Sequence, residues 1–422
     1  MRVVYNLLLL LAWPIAWVRL FIRAKSEPAY AERRSERWGH VPENVGRDVI
    51  WFHTVSAGEA IGAAPTIRAL KARMPDKRFL VTTTTPTGSE QVVERLGDIV
   101  DHCYAPYDFP WAVARFLRRV EPRALVLMET ELWPNILRHT KQRGALTCLV
   151  NARLSERSAR GYARVSGLTR AMLRDVDHLF CQYPETARRF EALGADKARL
   201  EVTGSIKFDL DIPSNLDSEV ARLRREWTPD RPAWIAGSTH PGEEEVVLSA
   251  HALLRDRFPN LLLVLVPRHP RRANDVAALC TRRGLSTARL SESPSARQKP
   301  DVLIVDLMGQ LLYWYGVAQV AFLGGSLVPV GGHNPIEAAI HGTPMLMARH
   351  RFNFAEITEQ FEEAGCLGLV EEKSLAGAVA ELLADPEIGG AQSRAAREVI
   401  DRNRGAGDKL LARLEEIISY QV

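Results

Sequence analysis

The stretch Phe322-Leu-Gly-Gly-Ser-Leu-Val-Pro-Val-Gly-Gly-His-Asn-Pro-Ile-Glu337 concentrates residues that hold phosphate. An apolar run, a glycine-rich loop and a helix start follow one another there, an order that suits an anion at a helix N-terminus. Gly324, Gly325, Gly331 and Gly332 let the backbone turn sharply and approach a ligand, Asn334 suits a helix cap, and Pro335 fits a first turn. Ser326 and Glu337 flank this loop at its two ends. Two other predicted strand-end loops in the same half add donors: Gly237-Ser-Thr-His240 and Pro267-Arg-His-Pro270. Arg268 offers a bidentate fork beside His269, and Ser238 and Thr239 offer a backbone nest. A nucleotide-linked substrate is the chemistry these residues share.

The first half of the chain supplies carboxylates instead. His53-Thr-Val-Ser-Ala-Gly-Glu-Ala60 places Glu59 in the first turn of a helix, just after a predicted strand. Ser56-x-x-Glu59 is also a capping box, so Glu59 has two open roles, a cap or a proton acceptor, with Gly58 between. Thr87-x-x-Glu90 reads as a second box with a capping role alone. In Met128-Glu-Thr-Glu-Leu-Trp-Pro-Asn135, Glu129 and Glu131 would project to one face of an extended chain. If buried, they either bind something or pair with Arg or Lys. Asn151-Ala-Arg153 and Ser155 follow another strand end, and Lys207 in Thr203-Gly-Ser-Ile-Lys207 is expected to reach from one half of the molecule toward the other. His53, His240, His269 and His333 occur singly, with no His-x-x-x-His or Asp-x-Asp pattern, so neither a metal nor another cofactor is expected.

These loops need strands to carry them. Short apolar runs alternate with amphipathic ones, the pattern of repeating strand-helix units and parallel sheets, so the fold class is α/β. Strands are expected at Val49–Val55, Arg78–Thr84, Ala124–Met128, Leu146–Val150, His178–Cys181 and Leu200–Val202. In the second half they are expected at Ala233–Ala236, Leu261–Val266, Val302–Val305, Val317–Leu323 and Met345–Leu346. Helices fit Ile61–Ala72, Ala112–Val120 and, as one long element, Ala391–Tyr420. At 422 residues two domains are natural, divided as 26–210 and 233–422 with a polar, proline-rich linker at 211–232 and a short helix at Ser218–Trp227. The last helix could pack back on the first domain. A net charge of +4, with no aromatics interleaved among the basic residues, gives no nucleic-acid signal. Five cysteines, odd in number and widely spaced, fit a reducing compartment.

The first 25 residues stand apart. Val3 to Val18 is apolar apart from Asn6, and Arg19, Arg23 and Lys25 follow where a small-residue cleavage site would otherwise lie. Residues 1–25 therefore read as an uncleaved membrane-anchor helix, spanning or interfacial, with the cations keeping the body on the cytoplasmic side. Inner-membrane lipids are the expected partners of this segment, its basic residues suiting anionic headgroups.

Taken together, the motifs resemble the 3-deoxy-D-manno-octulosonate (Kdo) transferases of lipopolysaccharide synthesis. The blocks that carry the resemblance, in order, are Ser56-Ala-Gly-Glu59, Thr84-Thr-Pro-Thr-Gly-Ser89, Glu129-Thr-Glu-Leu-Trp-Pro-Asn135, Asn151-Ala-Arg-Leu-Ser155, Thr203-Gly-Ser-Ile-Lys207, Gly237-Ser-Thr-His240, Pro267-Arg-His269, Phe322-Leu-Gly-Gly-Ser326 and Gly332-His-Asn-Pro-Ile-Glu337. The resemblance implies a GT-B fold, two Rossmann-like domains facing a cleft, with the acceptor on the first and CMP-Kdo mainly on the second. It implies an inverting transfer to a lipid A precursor at the cytoplasmic face, with Glu59 as general base. Ser56, Gly58, Glu129 and Glu131 would then lie on the acceptor side. Lys207, Ser238, Thr239, Arg268, His269, Gly324, Gly325, Ser326, Asn334 and Glu337 would lie on the donor side. The rivals are another nucleotide-sugar enzyme on the same architecture, a UDP-sugar transferase or epimerase, and a non-catalytic two-lobed binding protein.

Overall fold

The computed structural model describes residues 1–210, 212–292 and 298–420. The first residue of the expected linker, Asp211, and the chain's last two residues lie outside the described ones. The chain divides into two compact units, Met1–Leu210 with Arg404–Val422, and Asp211–Asn403.

The first unit is built on seven strands: β1 (Val49–His53), β2 (Arg78–Thr83), β3 (Asp101–Tyr104), β4 (Ala124–Met128), β5 (Leu146–Ala152), β6 (His178–Cys181) and β7 (Leu200–Val202). They lie in the order β3-β2-β1-β4-β5-β6-β7, every neighbouring pair parallel. Alternate residues of each strand enter opposite faces, and both faces are covered, which explains the unbroken apolar runs. Trp51, Leu80, Leu125 and Leu149 join one core; Ile50, Phe52, Val81 and Val126 join the other. The second core also takes Leu410, Leu411 and Leu414 from the end of the chain. The single helix expected over Ala391–Tyr420 is in fact two, Pro386–Asn403 and Ala406–Ser419. Gly405, at φ +82°, makes the break in the left-handed region where glycine is favoured.

The second unit repeats the plan with β8 (Ala233–Thr239), β9 (Leu262–Pro267), β10 (Thr287–Arg289), β11 (Val302–Ile304), β12 (Val320–Leu323), β13 (Met345–Met347) and β14 (Leu367–Leu369). The order is β10-β11-β9-β8-β12-β13-β14. Part of the expected linker is a packed element of this unit: the Leu216–Trp227 helix buries Leu216, Val220, Leu223 and Trp227 along one stripe. Trp227 meets Trp314 edge-on at 6.0 Å. Three strands went unforeseen, β3, β10 and β14, whose sequences Asp-His-Cys-Tyr, Thr-Ala-Arg and Leu-Gly-Leu hold no continuous apolar run.

Each sheet reverses its winding at one place, between β1 and β4 in the first unit and between β8 and β12 in the second. Open α/β sheets bind ligands beyond the carboxyl ends of strands at such switch points. Glu59 and Glu129 follow β1 and β4; Ser238 is the penultimate residue of β8, and Gly324 to Ser326 follow β12.

The first helix, Arg2–Ser26, contains Pro14. An 18-residue window within Arg2–Lys25 has a mean hydropathy of 1.8 and is 6% buried, long and apolar enough to cross a membrane by length and composition. It is nevertheless docked on the first unit. Arg2 pairs with Asp175 at 2.5 Å, the Tyr5 hydroxyl donates to Asp108 at 2.8 Å, Asn135 donates to Asn6 at 2.8 Å, and Trp17 stacks on Trp38 at 5.0 Å.

Candidate active site

The Ala57–Arg73 helix starts where β1 ends, and its cap shapes the first half of the site. Ser56 Oγ accepts the Glu59 N–H at 3.3 Å and donates to Glu59 Oε1 at 2.8 Å. Glu59 Oε2 in turn accepts the Val55 N–H at 2.8 Å. The capping box is therefore formed, with the carboxylate reaching one residue further back than the usual reciprocal bond. Burial lifts the Glu59 carboxyl to about 7; the Val55 and Ser56 hydrogen bonds oppose the rise, while the charges of Glu131 and Glu129 add to it. The result is a carboxyl poised between its two protonation states near neutral pH. Gly58 is exposed, and a Cβ there would meet nothing nearer than Ser56 Oγ at 4.0 Å. Nothing in the fold demands glycine at that position.

Glu129 departs from the extended chain expected of it. β4 stops at Met128, and Glu129 turns at φ +53°, so the two carboxylates do not project from one strand face. Of the two fates open to Glu129, this structure displays pairing: Arg153 Nε sits 2.6 Å from Oε2 and Lys207 Nζ 3.2 Å from Oε1. Lys207, expected to reach toward the second half, thus lies on a carboxylate of its own unit. Glu131 accepts the Trp133 indole N–H at 2.7 Å. Burial raises its carboxyl, and the charge of Glu129 adds to the rise. Trp133 takes the edge of His53 at 5.1 Å. His53 is fully buried against Thr82 Oγ1 at 3.0 Å, and desolvation drives its imidazole down to about 3, keeping it neutral. The second expected box is displaced: Thr85, not Thr87, caps the next helix by accepting from Gly88 N–H at 3.1 Å, with Pro86 in the first turn.

In the second unit the glycine-rich loop is organised from within. Glu243, fully buried in the first turn of the Glu243–Arg257 helix, accepts four backbone N–H groups. His240 and Gly325 donate to Oε2 at 2.9 and 2.7 Å, and Ser326 and Leu327 to Oε1 at 3.1 and 3.0 Å. The Gly325 and Ser326 amides, in a loop expected on the donor side, are thus engaged by the protein's own carboxylate. Ser326 Oγ is committed too, donating to the Leu323 carbonyl at 2.6 Å and accepting from Ala348 N–H at 3.0 Å. Gly324 has a steric reason: a Cβ would lie 2.5 Å from the Ser238 carbonyl oxygen. Thr239 is likewise internal, its hydroxyl donating to Glu244 at 3.0 Å, with Arg272 on the same carboxylate at 2.5 Å. Ser238 is held at φ +56° where the β8–β9 register shifts.

Arg268, His269 and the side chains near them lie at the end of β9. Arg268 is exposed, and its backbone N–H is anchored on the Thr239 carbonyl at 2.9 Å. Burial raises the Glu337 carboxyl, and the charge of Arg268 eases it back. His240 Nε2 lies 2.9 Å from His333 Nε2, with the rings 4° from parallel, and His269 stands edge-on to His240 at 6.2 Å. Burial pushes His333 down to about 4, with His240, Arg268 and His269 adding to the effect, so a neutral imidazole sits near the Arg268 guanidinium. Asn334 Oδ1 accepts the Ile336 N–H at 3.1 Å as a turn leading into a helix of six residues; the N-cap position there is Pro335, so Asn334 sits one residue ahead of the cap expected of it and Pro335 one ahead of the first turn. Glu243, Glu244 and Arg272 were not foreseen. A signal existed in Gly242-Glu-Glu-Glu245, where three acids crowd one first turn; two of them are buried, a sign that they serve the loop.

Two doubly wound parallel sheets, with polar groups near both switch points, define the fold as that of the GT-B class. Likeness to solved structures agrees at the level of fold: a putative UDP-N-acetylglucosamine 2-epimerase from Listeria monocytogenes matches with a TM-score of 0.56 at 15% identity, covering 89% of this chain and 98% of that one. The family model described as 3-Deoxy-D-manno-octulosonic-acid transferase matches residues 32–210. The 3-deoxy-D-manno-octulosonic acid transferase of Haemophilus influenzae is 38% identical over the whole length of both chains. That of Bordetella pertussis is 34% identical over 98% of this chain and 99% of its own. The chain belongs to the Kdo transferase family.

Proposed function

We propose that the enzyme transfers Kdo from CMP-Kdo to a lipid A precursor, lipid IVA, with inversion, at the cytoplasmic face of the inner membrane, and that Glu59 is the general base. The observation that carries this reading is the setting of Glu59, a half-buried carboxyl at the end of β1 held by Ser56 at 2.8 Å and the Val55 N–H at 2.8 Å, with desolvation raising it to about 7. A base works best with a pKa near the working pH. The anomeric carbon of the donor sugar bears a carboxylate and a CMP leaving group. Displacement through an oxocarbenium-like transition state then asks for a proton acceptor on one face and stabilised phosphate on the other.

In this reading Ser56 orients the base and Gly58 leaves room for the acceptor hydroxyl. Glu129 and Glu131 line the acceptor side, Glu129 holding Lys207 ready for donor phosphate or carboxylate. Arg268 and His269 take the leaving phosphate, Ser238 contributes its nest, and Glu337 meets the ribose hydroxyls. The Gly324–Ser326 loop and Asn334 shape the donor site through backbone geometry, and Thr239 through Glu244. The anchor helix keeps the enzyme where its lipid acceptor resides.

Mass spectrometry of the lipid formed from purified protein, CMP-Kdo and lipid IVA tests this. A mass gain of one or more Kdo units supports the reading, whereas no product together with turnover of a UDP-sugar overturns it.

A further inference from the structure

Between the first helix and the body of the first unit lies an apolar groove of about 470 Å³ that the reaction chemistry does not use. Leu9, Ala12 and Ala16 line it from the helix, and Leu132, Trp133 and Met172 from the body. We propose that this groove binds one fatty acyl chain of the acceptor lipid while its sugar headgroup is presented to Glu59. The inference rests on the lipid-acceptor reading above and adds to it a place for the tail.

Three observations carry it. The helix that forms one wall is of bilayer length and composition, and its outer residues Leu7, Leu8, Leu11 and Ile15 are all more than half exposed. A groove on its inner side therefore opens to the surroundings that dress its outer side, and hydrocarbon is a better occupant there than water. The space exists because two alanines, Ala12 and Ala16, stand four residues apart on a helix otherwise rich in Leu, Val and Trp. Lastly, Trp133 belongs to both places: its ring walls the groove, and its indole N–H holds Glu131, a carboxylate whose charge is felt at Glu59. A chain lying against Trp133 touches the residue that holds Glu131 on the acceptor side, which favours the acceptor's own tail over a bulk lipid.

The experiment compares two acceptors with CMP-Kdo as donor: the acylated precursor, and the same sugar headgroup stripped of its acyl chains. Ala12→Phe and Ala16→Phe fill the groove from the helix side. The expected result is a KM for the acylated acceptor raised about 15-fold, equal to two methylenes at about 0.8 kcal/mol each. The KM for the stripped acceptor, the KM for CMP-Kdo and kcat stay unchanged. No change for either acceptor, or an equal rise for both, overturns the groove. Photo-crosslinking gives a second measurement that needs neither variant nor turnover. An acylated precursor carrying a diazirine near a chain end should label Leu168 or Met172 of the full-length protein. Labelling confined to the outer face of the helix, or labelling of the groove by a diazirine phospholipid but not by the precursor, overturns the proposal. Absence of product from both acceptors with the unaltered enzyme counts against the lipid-acceptor reading itself, and the crosslink then still decides the groove.

Discussion

At Glu59 two demands meet on one side chain. The carboxylate completes a helix cap, yet burial holds it at about 7 against an ordinary value of 4.5. Because the folded value lies above the unfolded one, the native state keeps a proton that the unfolded chain has already released between those two values. Stability contributed by this group is thus present at low pH and falls as pH rises through about 7. Glu59→Gln removes the titration and keeps an acceptor for the cap. Its stability relative to the parent should therefore improve by roughly 3 kcal/mol between pH 4 and pH 8, measured by urea unfolding at each pH. Turnover should fall by about 10²- to 10⁴-fold, and the acidic limb of the rate profile, near pH 7 in the parent, should vanish. A variant that turns over at the parental rate would leave Glu59 as a cap alone. Gly58→Ala separates fold from function in the same turn. The exposed helical position has room for a methyl, so stability should rise by up to about 1 kcal/mol. If the acceptor hydroxyl comes in over this residue, KM for the acceptor rises while the KM for CMP-Kdo does not; equal kinetics in the variant and parent would remove Gly58 from the acceptor side.

At the scale of elements, the loop after β12 is shaped by a carboxylate buried beneath it. Glu243→Ala would leave the His240, Gly325, Ser326 and Leu327 amides without their acceptor in a dry setting. The expected cost is about 3 kcal/mol or more, seen as faster hydrogen exchange at residues 325–327, with KM for CMP-Kdo raised at least about tenfold. Unchanged exchange at those amides would show that the carboxylate does not hold the loop. The same loop marks the limit of what the sequence discloses. Apolar runs such as Ala124–Met128 and Leu261–Val266 announced their strands because both faces of a parallel sheet are covered, and Glu59, Glu129 and Gly324 to Ser326 therefore fell beyond strands that flank the switch points, while Arg268 and Lys207 follow β9 and β7. The edge strand Asp101–Tyr104 has no such run, and its pairing with β2 is a tertiary fact. Glycines, caps and single charges were legible one by one. Which donors are spent internally was not, since the Glu243 carboxylate reaches amides more than eighty residues away in the chain. Lys207 is the same lesson in ion-pair form, its partner Glu129 lying at the end of a different strand.

For the whole molecule, both ends of the chain are structural parts of the first unit. The closing helix Ala406–Ser419 returns to complete a core begun at Ile50, and the opening helix does more than tether. Arg2 answers Asp175, Tyr5 and Asn6 answer Asp108 and Asn135, and Trp17 stacks on Trp38 within a cluster that includes Phe109 and Trp111. Removing residues 1–25 would therefore not yield a simple soluble enzyme. It would bare Trp38, Phe109, Leu132 and Trp133 together, an apolar patch of the kind that drives association. It would also strip a buried carboxylate, Asp108, of its hydroxyl donor. The truncated chain should elute as aggregate in size-exclusion chromatography without detergent, and added detergent micelles should restore a discrete species by covering the patch. A monodisperse, fully active truncated protein in plain buffer would mean that the helix is a tether only, and that the aromatic surface beneath it has no need of a cover.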